Sequence, residues 1–413
     1  MSVAAFEVPL DGIPAHVPAQ LVYDFDYRYD PALLVDPHKR LLEIVKTVPP
    51  IFYTPRHGGH WVLTSHQAVA GAARMPEIFS NRPPKIGDQE PPRFLPLMAD
   101  PPEHALYRAP LNKAFGEKPM SAQREGIREL AKDLITKVAD KGECDFIAAI
   151  GEPLPVLTFL RLLDLPLERM AEFRDIVKKV HGGDDPGHGL VGVVVGIMEP
   201  FIIARRDNPR DDLISTLWKS DIGGRPITIE EVRNICMLLY TAGLDTVVNA
   251  MGFAARHLAQ DPALQARLRK NHLDIPFAVE EMLRRYGIVM TPRHIHQDAE
   301  VQGVRFRKGD SVLLVTPAGN LDAAVFAQPQ EYNLDRENKS HLTFNAGPHR
   351  CVGQLLARFE LHILYEELLS GLPEFRLDPD KPARFTGGNV ISVLTLPILW
   401  DVEARKVAAH AGG

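Results

Sequence analysis

Four short stretches of this 413-residue chain carry residue types that do chemistry. In "FNAGPHRCVGQLLARFEL", Phe344 to Leu361, Cys351 lies between a glycine-containing loop and a helical pattern. The glycines let the backbone turn tightly, and a helix starting after the thiol directs unpaired N–H groups toward the sulfur. A helix N-terminus with His349 and Arg350 beside it favours thiolate over thiol. Three readings compete for Cys351: a small packing residue, a nucleophile with His349 as its base, or the single protein thiolate on a metal. The second stretch is Ala242-Gly243-Leu244-Asp245-Thr246, inside the long apolar run "EEVRNICMLLYTAGLDTVVNAMGFAARHL". Gly243 costs a helix about 1 kcal/mol relative to Ala, and a mid-helix Asp-Thr pair competes for backbone hydrogen bonds. Such a violation reads either as a packing notch with a solvated acid, or as a groove where a ligand nears the backbone and Asp245 and Thr246 handle protons.

The other two are quieter. Glu281 and Arg284, at i and i+3 in "FAVEEMLRRYGIVMTPRHI", fit an ion pair on one helical face, with Arg293 nine residues further on. In "ADPPEHALYRAPLNKAF", Pro101 and Pro102 suit a helix start with Asp100 as its cap. His104 and Arg108 then fall on one face as an anion-binding pair or as a surface stripe.

These residues need a scaffold, and helices dominate it. Helical patterns run over 103–115, 121–140, 153–163, 166–181, 190–206, 228–259, 261–270, 274–287 and from Gln354 to about Ser370. "IFYTPRHGGHWVLTS" reads as a hairpin around a His-Gly-Gly turn, and Glu300 to Val315 as two strands. The prolines of 82–102 exclude a regular helix there, and "HGGDDPGHGLVG" from His181 is a loop or a lid. The chain is therefore mainly α with a smaller β portion, about 50–80 and 295–320 plus C-terminal strands, around a helical body of about 103–290 and 354–370.

Composition is that of a globular enzyme, 45% hydrophobic and 24% charged. A net charge of −6 argues against nucleic acid or an anionic membrane as the main partner. Cys144, Cys236 and Cys351 are too scattered for a disulfide framework or a Cys-x-x-Cys site, which points to a reducing cytoplasm. The first twenty residues lack the pattern of a signal peptide, and "GLVGVVVGIMEPFIIA" is too short and too interrupted to span a bilayer.

Taken together and in order, the four stretches resemble the cytochrome P450 family of haem-thiolate monooxygenases. The family's Phe-x-x-Gly-x-x-x-Cys-x-Gly loop matches Phe344, Gly347, Cys351 and Gly353. Its acid–alcohol motif matches Ala242, Gly243, Asp245 and Thr246, its Glu-x-x-Arg motif Glu281 and Arg284, and its His-x-x-x-Arg motif His104 and Arg108. "GLDTVVN", "EEMLRRY", "GQLLARFE" and "LPILWD" are similar in detail to the bacterial camphor hydroxylase group. Two departures stand out. Asn345 replaces a usual glycine, and the proline-rich segment has Pro92 at about the place of that group's substrate-binding tyrosine.

The resemblance implies one P450 domain over 1–413, a triangular α-rich body enclosing haem b between the long distal helix and the cysteine-loop helix. Cys351 would be the iron ligand. His104, Arg108, Arg293 and His349 would hold the haem propionates, with Phe344 and Gly353 shaping the loop. Ala242 and Gly243 would leave space for O2, Thr246 would hydrogen-bond it, and Asp245 would relay protons. Glu281 and Arg284 would be structural. Phe94, Leu97, Leu238, Leu244, Val247 and Val289 would line an apolar pocket for a terpenoid or norisoprenoid. Electrons would come from a [2Fe-2S] ferredoxin fed by an NAD(P)H-dependent ferredoxin reductase, docking at Arg108, Lys113, Arg350 and Arg358 or meeting there only a scatter of solvated charge. A cytoplasmic monomer is expected. Two alternatives remain open at this point: a haem-thiolate sensor without oxygenase activity, and a cysteine hydrolase using Cys351 and His349.

Overall fold

The hairpin expected around the His-Gly-Gly turn forms as β1 (Ile51–Thr54) and β2 (His60–Leu63), antiparallel, with Tyr53 opposite Trp61. The computed structural model describes residues 12–83, 93–181 and 189–403; Pro92 and residues 182–188 of the expected loop or lid lie outside them, and Gly189 already opens a helix. Its helices are α1 (Pro37–Val45), α2 (His66–Ala73), α3 (Glu103–Ala114), α4 (Glu117–Ala139), α5 (Pro153–Leu162), α6 (Met170–His181), α7 (Gly189–Asp207), α8 (Leu213–Trp218), α9 (Ile229–Gln260), α10 (Pro262–Lys270), α11 (Ile275–Arg285), α12 (Thr316–Gly319) and α13 (Gln354–Gly371). The further strands are β3 (Phe79–Ser80), β4 (Glu143–Asp145), β5 (Met290–Ile295), β6 (Ala299–Val301), β7 (Val304–Phe306), β8 (Ser311–Val315), β9 (Phe375–Leu377), β10 (Arg384–Thr386), β11 (Ser392–Thr395) and β12 (Pro397–Trp400).

The chain divides into two compact units. The first comprises residues 1–92, 280–351 and 384–392. Its centre is a five-stranded sheet ordered β1-β2-β8-β5-β3. Trp61 is fully buried there, its ring set edge-on against Tyr53 and Phe306, and its Nε1 donates to Asp310 Oδ2 at 2.9 Å. That bond removes the cost of burying an indole N–H. The expected two strands between Glu300 and Val315 are three, because Gln302 and Gly303, both at positive φ, turn β6 into β7 before β8 begins. Helices α1 and α2 escape a reading of the longer patterns because they are short, yet each carries a side-chain cap: Asp36 accepts from Lys39 N, and Ser65 from Ala68 N.

The second unit comprises residues 93–279, 352–383 and 393–413 and is helical. Here α4 packs on α13 and α5, and α5 and α7 pack on α9. The 32-residue α9 starts with a capping box, Thr228 and Glu231 each accepting from the other's backbone N–H. Glu231 also accepts from Tyr107 of α3 at 2.6 Å and from Arg225, whose guanidinium holds the carboxyl down near 2 despite burial. Further along, Tyr365 of α13 donates to Met251 O at 2.6 Å. The register of α9 is thus fixed near both ends. Among the described helices α9 alone is long and apolar enough to cross a membrane, and most of that stretch is buried within the protein.

α13 carries one acid in a place that disfavours its charge. Glu360 is buried, and burial pushes its carboxyl up to about 8, with a hydrogen bond to Thr158 opposing the shift. The folded chain therefore holds a proton that the unfolded chain, with an ordinary carboxyl, releases. This contribution is whole below about pH 4.5 and falls by about 1.4 kcal/mol per pH unit up to the folded pKa. Glu360→Gln keeps the shape and removes that slope. The variant's thermal midpoint should exceed the wild type's by more at pH 8 than at pH 5; an equal difference at both pH values contradicts a neutral Glu360.

Candidate functional site

The cysteine loop belongs to the first unit and is held by its backbone. Cys351 N donates to Phe344 O at 2.9 Å and Asn345 N to Leu342 O at 2.7 Å. Asn345 sits at φ 61°, the left-handed region that asparagine tolerates better than most residues, and its Oδ1 accepts from Ala346 N at 2.8 Å. The departure from the usual glycine therefore leaves the turn intact. Gly347 has no such latitude: at φ 67°, a Cβ would lie 2.1 Å from Ala73 O. The thiol of Cys351 is exposed, Phe344 is half-buried and His349 is buried. Arg293, in β5, is also buried, with Nη1 donating to Pro292 O at 2.7 Å. Exposure excludes the reading of Cys351 as a core-packing residue.

Glu281 and Arg284, on α11, form more than a surface pair. Both side chains are fully buried, with Nε and Nη2 of Arg284 each 2.9 Å from a different Glu281 oxygen. Arg284 also donates to the carbonyls of Asn320, Pro329 and Glu331, while Glu281 accepts from Arg336 Nε and Asn333 N. Burial raises the Glu281 carboxyl, but the bonds from Arg284 and its neighbours outweigh it, and the net shift is downward.

In the second unit, His104 and Arg108 share α3 as expected. Asp100 is not the cap: the helix starts at Glu103 with Pro102 at the cap position, so Asp100 lies too far back and instead accepts from His104 N through its carbonyl. His104 is buried, and burial, with Arg108 adding to it, lowers its imidazole pKa against a smaller opposing pull from Asp100. Arg108, half-buried, donates to Asn112 Oδ1 at 2.7 Å. Of the expected docking cations, Lys113 and Arg350 are exposed, while Arg358 is half-buried against Gln354. Gly353 occupies the cap position of α13, with no side-chain cap.

The middle of α9 answers the packing-notch reading. Ala242 and Gly243 are exposed within a mostly buried helix, and a Cβ on Gly243 would meet nothing within 4 Å. Thr246 is half-buried, its Oγ1 donating to Ala242 O at 3.0 Å. Asp245 is buried rather than solvated. Asn249 donates to its Oδ1 at 3.0 Å and accepts from Val393 N at 2.8 Å. Asn249 was not among the expected residues, although its place four residues after Asp245 marks the pairing.

Two pocket expectations are corrected. At about 100° per residue, Leu244 and Val247 fall roughly 160° and 140° around the helix from Ala242. They are accordingly 1% and 8% exposed, packed on the far side. The accessible stripe runs through Leu238, Thr241, Ala242 and Thr246 instead. Phe94 and Val289 are half-buried and Leu97 is exposed.

The residues present fit a haem. One exposed thiol on a glycine turn would supply an iron ligand, buried imidazole and guanidinium groups suit carboxylates, and a helix bared at Ala242 and Gly243 would leave room for a small gas. Each of these groups suits a haem-thiolate protein, and the chain belongs to the cytochrome P450 family, whose profile matches residues 193–400. It is 33% identical over 407 residues to "Probable cytochrome P450 127A1" of Sinorhizobium fredii, spanning 95% of this chain and 98% of that protein. A "Steroid C26-monooxygenase" of Mycolicibacterium smegmatis is 32% identical over 84% of this chain and 88% of its own length. Among solved structures, CYP101J2 matches with TM-score 0.87 and 36% identity, covering 94% of this chain and 99% of its own. CYP101C1 matches with TM-score 0.88 and 35% identity, covering 94% and 100%. The protein is a cytochrome P450 monooxygenase, and its cofactor is haem b.

Proposed function

We propose that this monooxygenase hydroxylates a small hydrophobic substrate, a terpenoid or norisoprenoid, drawing two electrons from a [2Fe-2S] ferredoxin and its NAD(P)H-dependent reductase. The observation that carries the substrate class is the accessible face of α9: it offers Leu238, Ala242 and Gly243, and its hydroxyls, Thr241 and Thr246, each donate to a carbonyl of the same helix, which suits recognition mainly by shape and apolar contact. The resemblance of "GLDTVVN", "EEMLRRY" and "GQLLARFE" to the bacterial camphor hydroxylase group supports the same reading.

Haem, when bound, supplies the oxygen-activating chemistry; the chain supplies ligand, anchors and protons. Cys351 is the proposed iron ligand. His104, Arg108, Arg293 and His349 are the proposed propionate partners. Arg108 and Arg293 bring charge, and His104 and His349 offer ring N–H donors. Thr246 hydrogen-bonds oxygen, and Asp245, oriented by Asn249, passes protons toward it. The ferredoxin approaches the exposed Lys113 and Arg350. The proton relay also separates an oxygenase from a haem sensor, which has no need of proton delivery.

The test is a spectral titration of the ferric, haem-loaded protein with terpenoids, norisoprenoids and steroids, followed by product analysis with a reconstituted ferredoxin chain. Spin-state shifts and hydroxylated products are expected from the first two panels. Shifts from steroids alone would sink the substrate class. In the same assay Asp245→Asn keeps a partner for Asn249 but no acid. Product formation should fall about 100-fold with substrate affinity unchanged. An undiminished rate removes Asp245 from the relay.

A further inference from the structure

Thr241 precedes Ala242 on the accessible stripe and is half-buried. Its Oγ1 donates to Met237 O at 3.0 Å and lies 3.3 Å from Leu238 O, so its one hydrogen is engaged within the helix. A threonine hydroxyl also has two acceptor lone pairs. The oxygen is therefore set as an acceptor, flanked by the apolar Leu238 and Ala242. Asp245, the next turn's polar residue on that flank, is buried and engaged with Asn249.

Resting on the proposed substrate class, we infer that Thr241 accepts a hydrogen bond from a hydroxyl group of the substrate. The enzyme thereby selects an isoprenoid alcohol over the hydrocarbon or ketone of the same skeleton. A hydrocarbon gains nothing from this oxygen. A ketone needs a donor, and Thr241 supplies one only by turning its hydrogen away from Met237 O. An alcohol pairs with the hydroxyl as it stands. Thr241 is thus a specificity-determining residue, about one and a half turns before the oxygen-side threonine, Thr246.

The experiment uses the haem-loaded ferric protein and three ligands of one skeleton: borneol, camphor and camphane. Dissociation constants come from the spin-state shift, for wild type, Thr241→Val and Thr241→Ser. The readout is the borneol-to-camphane affinity ratio, in which packing effects of the substitution cancel. Thr241→Val should reduce that ratio about five-fold, the net value of one neutral hydrogen bond. Thr241→Ser should retain it, and camphane affinity should change little in either variant. An unchanged ratio in Thr241→Val overturns the inference, as does an equal loss for all three ligands, which marks Thr241 as packing only. Both results leave the substrate class standing, because the wider terpenoid, norisoprenoid and steroid titration is what tests it. Wild type that binds borneol no more tightly than camphane, or responds to neither, overturns the Thr241 assignment alone.

Discussion

Arg284→Leu should yield little or no folded protein, and Glu281→Leu nearly the same result. Each side chain is fully buried, so Glu281→Leu leaves Arg284 and Arg336 without their carboxylate away from water, while Arg284→Leu leaves Glu281 with Arg336 as its one cation and strips three carbonyls of their donor. Removing one member of a buried pair costs about 3–5 kcal/mol. That is a large share of the roughly 5–15 kcal/mol that holds a typical domain together. Replacing both members with apolar residues is often harmless elsewhere, but not here. The double substitution would also leave Arg336 and the carbonyls of Asn320, Pro329 and Glu331 short of partners. Arg284→Lys should fail as well, since one ammonium cannot meet two carboxylate oxygens and three carbonyls in the guanidinium's planar fork. Soluble yield, haem content and thermal midpoint check this. A wild-type midpoint in the double variant would show that the network orients the segment without stabilising it.

How far such features were legible depends on what each residue reports locally. The β1–β2 hairpin was readable because its turn chemistry lies between its strands, and the Glu281–Arg284 pairing because one helical turn sets it. Their depth was not: burial comes from loop carbonyls 36 to 47 residues away, whose approach no local pattern encodes. The phase of α9 was hidden for a different reason. A helix packed on nearly every side is apolar all round, so Leu244 and Val247 look in sequence just like Leu238. Only the residues that break the apolar run report its orientation. Ala242, Gly243 and Asp245 did so, and Thr241 and Asn249 carried the same signal without being weighed. Asn345 shows the converse, a departure from a family pattern that is mild physically, because its own side chain secures the turn.

Cys351→Ala is expected to abolish oxygenation while leaving the fold in place. Backbone and the Asn345 side chain shape the loop: Cys351 N donates to Phe344 O, Ala346 N donates to Asn345 Oδ1, and Gly347 is set against Ala73. The thiol is exposed, so truncating it opens no cavity in the core. Stability of the haem-free protein should therefore change by no more than about 0.5 kcal/mol. Haem affinity should fall sharply, and any haem retained should lose the thiolate-type spectrum of its carbon monoxide complex. Substrate-dependent NADH consumption with the ferredoxin chain should drop to background. These readouts separate the three readings of the thiol that the sequence left open. A packing residue would alter the midpoint and spare the spectrum, and a hydrolytic nucleophile would cost esterase activity and spare haem binding. Only an axial ligand loses spectrum and oxygenation together while the apoprotein stays as stable as before.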